Sequence, residues 1–148
     1  MQIHELGHVV LYVGSLERSR HFYRDVLGFR EIEAPMRSAA VFSSGRTHHE
    51  LLLLEVGADA SPIPAGRRLG MYHLGLKIGT HDDELRDALA VLRAEWVTVV
   101  GTSDHTVTHS LYILDPDGNE IELYIDVQPE VWRDEPAAVL APTRALHL

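Results

Sequence analysis

His8, His73 and Glu122 are the residues of this chain that most invite a chemical reading. Two imidazoles and one carboxylate form the facial ligand set that suits a divalent first-row metal and leaves positions open for substrate. Any one of them alone is most often structural. What joins them is position. His8 and His73 occupy the same place in two similar stretches, and Glu122 stands on the acidic face of the segment Tyr112–Tyr124, YILDPDGNEIELY. Turn residues between two alternating runs predict a β-hairpin with Asp115–Asn119 as its loop. Leu114 then faces Glu120, and Tyr112 faces Glu122. Glu120, Glu122 and Tyr124 share one face, while Ile121, Leu123 and Ile125 share the other. Acidic groups inside an apolar strand are costly unless something pairs with them. Glu120, on the same face, is the alternative carboxylate ligand.

The elements that must carry these groups follow from periodicity. Ile3–Val13 reads as a strand with His8, Val10 and Tyr12 on one face. Ser15 is a plausible N-cap for a helix bearing Leu16, Phe22, Tyr23, Val26 and Leu27, stopped by Gly28. Residues Phe29–Ala34, Arg37–Ser43 and Thr47–Val56 read as strands, with turns at Pro35 and Ser44-Gly45. Gly57–Leu69 is a connector rich in Ala, Pro and Gly. Gly70–Ile78 is again a strand, and Thr80 or Asp82 can cap a helix with Leu85, Ala88, Leu89 and Leu92 at buried spacing. Trp96–Gly101, His105–Leu114 and Asn119–Asp126 complete a second strand, helix, strand, strand, strand unit. At an offset of 65 residues His8 meets His73, Leu11 meets Leu76, Gly14 meets Gly79 and Leu27 meets Leu92. The internal repeat predicts an α+β fold of two βαβββ modules, about residues 3–56 and 70–126, in one domain spanning 1–126. Their strands should form an incurved mixed sheet around a metal-binding cavity, with helices outside. Residues 127–148 lose all periodicity and are expected to form an irregular tail with Trp132 as its anchor.

Composition narrows the partners. The chain has 148 residues and a net charge of −9, which disfavours nucleic acid and anionic membranes. It has no cysteine, so thiolate chemistry and disulfides are excluded. The N-terminus lacks a charged segment followed by an apolar run, and no stretch is apolar enough to cross a bilayer. A cytoplasmic protein is expected. The ten histidines remain the feature to explain.

GHVVLYVGSLERSRHFYRDVLGF, MYHLGLKIG and DPDGNEIELY resemble the vicinal oxygen chelate superfamily over about residues 3 to 126. That superfamily includes glyoxalase I, extradiol ring-cleaving dioxygenases, methylmalonyl-CoA epimerase, and fosfomycin- and bleomycin-resistance proteins. The resemblance implies metal ligands at His8, His73 and Glu122. The stretch RTHHELLLL resembles extradiol dioxygenases, in which a histidine here acts as acid/base; the resemblance places His49 in that role. Glyoxalase I-like members carry a fourth ligand, usually glutamate, on this strand. Alternation puts His49 and Glu50 on opposite faces, so a cavity-facing His49 leaves Glu50 outside the ligand set. Extradiol enzymes also carry a tyrosine ten residues before the carboxylate ligand, matched by Tyr112, and a histidine upstream of it, matched by His105 or else by His109.

The resemblance thus implies an Fe(II)-dependent extradiol dioxygenase acting on a catechol-like aromatic with dioxygen, and a homodimer. Mn(II), Zn(II) and Ni(II) are alternative ions. A glyoxalase-like lyase, isomerase or thiol transferase is one alternative function. A metal-free drug-sequestering protein is another, disfavoured because it needs no ligand triad.

Overall fold

Leu11 and Val13 are buried while Val10 and Tyr12 are exposed, the period-two signature of a strand with one face on a core. That strand, β1 (Val9–Val13), opens the first of two compact units, Met1–Ile63 and Pro64–Leu148. The structure, a computed structural model, describes residues 1–33 and 36–148. The predicted strand end at Ala34 and the predicted turn at Pro35 lie outside the described residues.

In the first unit β1 leads into α1 (Leu16–Arg20), capped by Ser15, whose hydroxyl accepts from the Arg18 N–H. α1 runs on into a π-helical turn (His21–Val26), in which Leu27 N–H donates to Phe22 C=O. The wider turn brings successive side chains closer in angle. Phe22 and Tyr23 are both buried there, edge to face at 4.9 Å. Gly28, at φ +78, ends the helix as predicted. Strands β2 (Arg30–Ile32), β3 (Ala39–Ser43) and β4 (Leu51–Glu55) follow. The sheet order is β1-β4-β3-β2, with β1 parallel to β4 and the other pairs antiparallel.

The second unit repeats the plan. β5 (His73–Gly79), α2 (Asp82–Ala94), β6 (Val99–Asp104), β7 (Thr108–Leu114) and β8 (Glu120–Asp126) form a sheet ordered β5-β8-β7-β6. β5 is parallel to β8, as β1 is to β4. The fold is α+β, two mixed four-stranded sheets with the repeated order strand, helix, strand, strand, strand. α2 packs on β5, β7 and β8, and its Leu85, Leu89 and Leu92 are buried. On the sheet Ile113 pairs with Ile121 and Leu111 with Leu123, all buried. A fully buried aliphatic side chain contributes about 1.5–3 kcal/mol, so this face fixes which way β7 and β8 turn.

Several boundaries differ from the sequence reading. The first strand starts at Val9 rather than Ile3, so His8 flanks β1 instead of lying within it. β4 starts at Leu51, leaving Thr47–Glu50 in the preceding turn. The cap of α2 is His81, neither Thr80 nor Asp82; the Glu84 carboxylate folds back to accept from the Thr80 and His81 N–H groups. After β8 the chain forms α3 (Pro129–Asp134) and a 3₁₀ turn (Pro136–Leu140) rather than a wholly irregular tail. Trp132 is not its anchor: α3 has no buried residue, and Trp132 is 36% exposed. The tail is instead strapped to β6. Asp104 and Arg144 exchange backbone hydrogen bonds of 3.0 and 2.8 Å, and the Thr102 hydroxyl donates to Leu146 C=O at 2.7 Å.

The hairpin loop behaves as predicted. Asp115 is buried and accepts from the Asp117 N–H, the Asn119 N–H and the Asn119 amide, at 3.0, 2.7 and 2.8 Å. Asp115→Ala leaves those donors without their acceptor, which costs about 1–3 kcal/mol. Urea unfolding should show that loss with an unchanged m-value; a loss under about 0.5 kcal/mol would mean the loop does not depend on this carboxylate.

Candidate active site

The face of the second sheet opposite α2 carries the candidate residues His73, Tyr112 and Glu122. Register pairs Tyr112 with Glu122, Leu114 with Glu120, Ser110 with Tyr124 and Gly75 with Glu122. Glu122 Oε1 accepts from the Ser110 hydroxyl at 2.6 Å and the Tyr112 hydroxyl at 3.0 Å. Its Oε2 lies 3.1 Å from His73 Nε2. One oxygen is therefore held by hydroxyls and the other is presented to the imidazole. The distance serves either an imidazole–carboxylate hydrogen bond or two neighbouring ligands of one ion. Donors about 2.1 Å from an ion and at right angles to each other are about 3 Å apart. The support of Glu122 by two hydroxyls is the kind of outer contact that orients a ligating carboxylate. His73 Nδ1 is buried with no hydrogen-bond partner among the described residues, and Glu120 Oε1 stands 3.8 Å from it. Glu120 is thus placed against the second ring nitrogen, where outer carboxylates orient ligating histidines.

Tyr112 is held as a phenol. Burial raises its pKa first, and the Glu122 charge and hydrogen bond add to the rise. Its oxygen lies 2.8 Å from His105 Nε2, so His105 and not His109 reaches this cluster. His109 is bound to Asp82 at 2.6 Å, with Asp104 at 3.7 Å from its other nitrogen. The Tyr72 ring lies 4.9 Å from that of His73. Farther along the same strands Lys77 pairs with Asp126, and burial followed by the Asp126 charge raises the Tyr124 pKa.

In the first unit, His8 is placed by what surrounds its neighbours. The Val9 N–H donates to Glu50 C=O, and the Arg46 guanidinium donates to the carbonyls of Leu6 and Gly7 at 3.2 and 3.0 Å. The His49 ring centroid is 4.5 Å from that of His8. Burial first, then the neighbouring His48 and His8, lower the His49 pKa and favour the neutral base at neutral pH. Glu50 turns elsewhere. Its carboxylate accepts from the Ser44 N–H at 2.8 Å, the Ser44 hydroxyl at 3.1 Å and the Thr47 N–H at 3.1 Å. Burial alone would raise its pKa, but these hydrogen bonds outweigh it and hold the carboxyl below its ordinary value. His49 and Glu50 do point different ways, through a turn rather than through the strand alternation expected.

Among the described residues no three His, Cys, Asp or Glu side chains are drawn together as a metal site. The second unit brings together two of the three predicted ligands, His73 and Glu122, with Tyr112 and His105. The first places His8 beside His49. Ser110 and Arg46 were missed. Ser110 was findable, being two residues from Tyr112 on the same strand face.

Residues 5–123 match the Glyoxalase/Bleomycin resistance protein/Dioxygenase superfamily, and the chain belongs to it. A catechol-2,3-dioxygenase of Bacillus subtilis is 36% identical over 99% of this chain and 51% of its own length. Biphenyl-2,3-diol 1,2-dioxygenase 3 of Rhodococcus globerulus is 32% identical over 82% of this chain and 63% of its own length. The chain thus spans about half to two thirds of these relatives. Among solved structures, a lactoylglutathione lyase from Agrobacterium tumefaciens is 26% identical with a TM-score of 0.61, covering 86% of this chain and 96% of its own. A glyoxalase/dioxygenase from Nostoc punctiforme has a TM-score of 0.68 at 23% identity, over 82% of this chain and 90% of its own, and shares the fold.

Glu50 provides a test of its own. A carboxyl whose folded pKa is depressed stabilises the fold above its unfolded pKa and loses that contribution as pH falls through the folded value. Glu50→Gln should therefore cost about 1 kcal/mol at pH 7, an effect that fades toward pH 3, while metal content stays at the wild-type level. A large loss of bound metal in this variant would show that Glu50 is a ligand.

Proposed function

We propose that this chain is an extradiol dioxygenase that opens a catechol-like ring beside its hydroxyls with dioxygen. The observation that carries the reading is the division of labour between His49 and Glu50. The glutamate at the place of a fourth ligand is consumed by its own turn, and the histidine beside it stands against His8. Two relatives named as dioxygenases of catecholic substrates, at 36% and 32% identity, support the same reaction.

His8, His73 and Glu122 would hold one divalent ion, Fe(II) in this proposal and Mn(II), Zn(II) or Ni(II) otherwise. The fit rests on the 3.1 Å approach of His73 Nε2 to a carboxylate oxygen whose partner oxygen is already supported by Ser110 and Tyr112. When bound, the ion would acidify the catechol hydroxyls and couple the ring electronically to dioxygen. The chain's own residues do the rest. His49, kept neutral, accepts a proton from a substrate hydroxyl and can return it later. Tyr112, kept protonated and backed by His105, gives its one proton to Glu122 in the resting site and would turn it to a substrate oxygen once substrate is bound. The reaction balances without a further reductant: one ring carbon–carbon bond breaks, and both atoms of dioxygen end in the product.

Metal content gives the first check. His8→Ala, His73→Ala and Glu122→Ala should each lose most bound divalent ion, while His4→Ala, His21→Ala and His81→Ala keep it. Equal loss in all six would remove the assignment.

Turnover gives the second. Anaerobic loading with Fe(II), then catechols and oxygen, should yield stoichiometric oxygen uptake and a yellow ring-opened product. His49→Ala should retain metal but lose roughly 10²–10⁴-fold in rate. No uptake across a broad catechol panel, together with hemithioacetal turnover by Zn- or Ni-loaded protein, would replace this reading with a glyoxalase-like one.

A further inference from the structure

Four side chains of the second unit form a directed hydrogen-bond chain that begins in the C-terminal tail. Thr143 Oγ1 lies 3.3 Å from His105 Nδ1, His105 Nε2 lies 2.8 Å from the Tyr112 oxygen, and Tyr112 donates to Glu122 Oε1 at 3.0 Å. Hydrogen inventory fixes the directions. The carboxylate only accepts, and a phenol has one proton, which Tyr112 gives to Glu122. The Tyr112 oxygen must then accept from His105, which requires the proton on Nε2. A neutral imidazole with Nε2–H has a bare Nδ1, and that nitrogen faces the hydroxyl of Thr143.

The backbone on both sides of this contact is constrained. Asp104, the residue before His105, exchanges both backbone hydrogen bonds with Arg144, the residue after Thr143. His105 N–H donates to Thr108 C=O, and Thr106 sits at φ +73, a conformation disfavoured for a β-branched residue. Such strain persists only where surrounding contacts over-determine it. The tail is therefore more than a covering segment.

We infer that Thr143 is a positioning residue: strapped to β6 by Arg144 and Leu146, it donates to His105 Nδ1 and so holds the Nε2–H tautomer that backs Tyr112. It acts on Tyr112 through His105. The turnover consequence rests on the proposed function, whereas the tautomer consequence does not.

The test uses the full chain with ¹⁵N-labelled histidine, read well above the ordinary imidazole pKa, in wild type, Thr143→Val and Thr143→Ser. Valine keeps the shape and removes the hydroxyl, and the Arg144–Asp104 pairing is backbone. In wild type the His105 Nδ1 resonance should be that of a bare, hydrogen-bonded nitrogen. Thr143→Val should move it to the position of a free imine nitrogen and let the Nδ1–H form appear; Thr143→Ser should restore it. With a catechol substrate, kcat should fall roughly 3- to 10-fold in Thr143→Val, as expected for one hydrogen bond, with KM little changed and recovery in Thr143→Ser. An unmoved Nδ1 resonance in Thr143→Val, or failure of serine to restore it, overturns the inference. A wild-type protein inert toward catechols would sink the dioxygenase reading, and the resonance would still decide the role of Thr143.

Discussion

The register of β7 against β8 is the constraint on which the second unit depends. It is set at the loop, where the buried Asp115 carboxylate gathers three donors and its N–H bonds to Asn119 C=O at 2.9 Å. A slip of one residue would send every side chain to the opposite face. Ile121, Leu123 and Ile125 would leave the core, and Glu122 would enter it. At about 1.5–3 kcal/mol per buried aliphatic, that alternative is far from competitive. The same register sets Tyr112 opposite Glu122 and puts Ser110 within 2.6 Å of the same carboxylate.

A carboxylate so placed has to be satisfied locally. Ser110 and Tyr112 do this for one oxygen of Glu122 and His73 for the other, so a strand that is apolar on one face tolerates acid on the other. Tyr112 responds in turn: burial and the neighbouring charge keep it a phenol, which makes it a fixed donor. That fixity orders the rest of the chain of contacts, because a donor with one proton selects which ring nitrogen of the histidine behind it faces the phenol as a donor.

The hairpin was legible because its signals are local and redundant. Alternation, turn composition and loop length all agree on one register. The repeat was legible for the same reason, and the matching sheet orders bear it out. Boundaries were less so where polar side chains supply the order. Thr47–Glu50 continues the alternation of the strand, yet Glu50 binds the N–H groups of Ser44 and Thr47 and holds those residues in a turn. Likewise Glu84 moves the start of α2 by folding back on Thr80 and His81. The tail misled most. Tryptophan is ordinarily the best anchor a segment has, but here the attachment is a backbone bridge at Arg144 and a carbonyl at Leu146, features that side-chain pattern does not encode.

Turn chemistry also bears on which reaction the fold supports. A glutamate is a versatile ligand only while its oxygens are free, and one that accepts from two backbone N–H groups and a hydroxyl gives up structure to bind an ion. Withdrawal of Glu50 into its turn leaves the adjacent histidine, partly desolvated, beside two other imidazoles and biased toward its neutral form, as the group at that position that the proposed dioxygenase reading would use as a base. In the proposed reading, proton exchange there, rather than a fourth ligand, is what a ring-opening reaction would ask of this strand end. On that reading, the choice between two chemistries on one fold would come down to whether a carboxylate closes a loop or faces a metal.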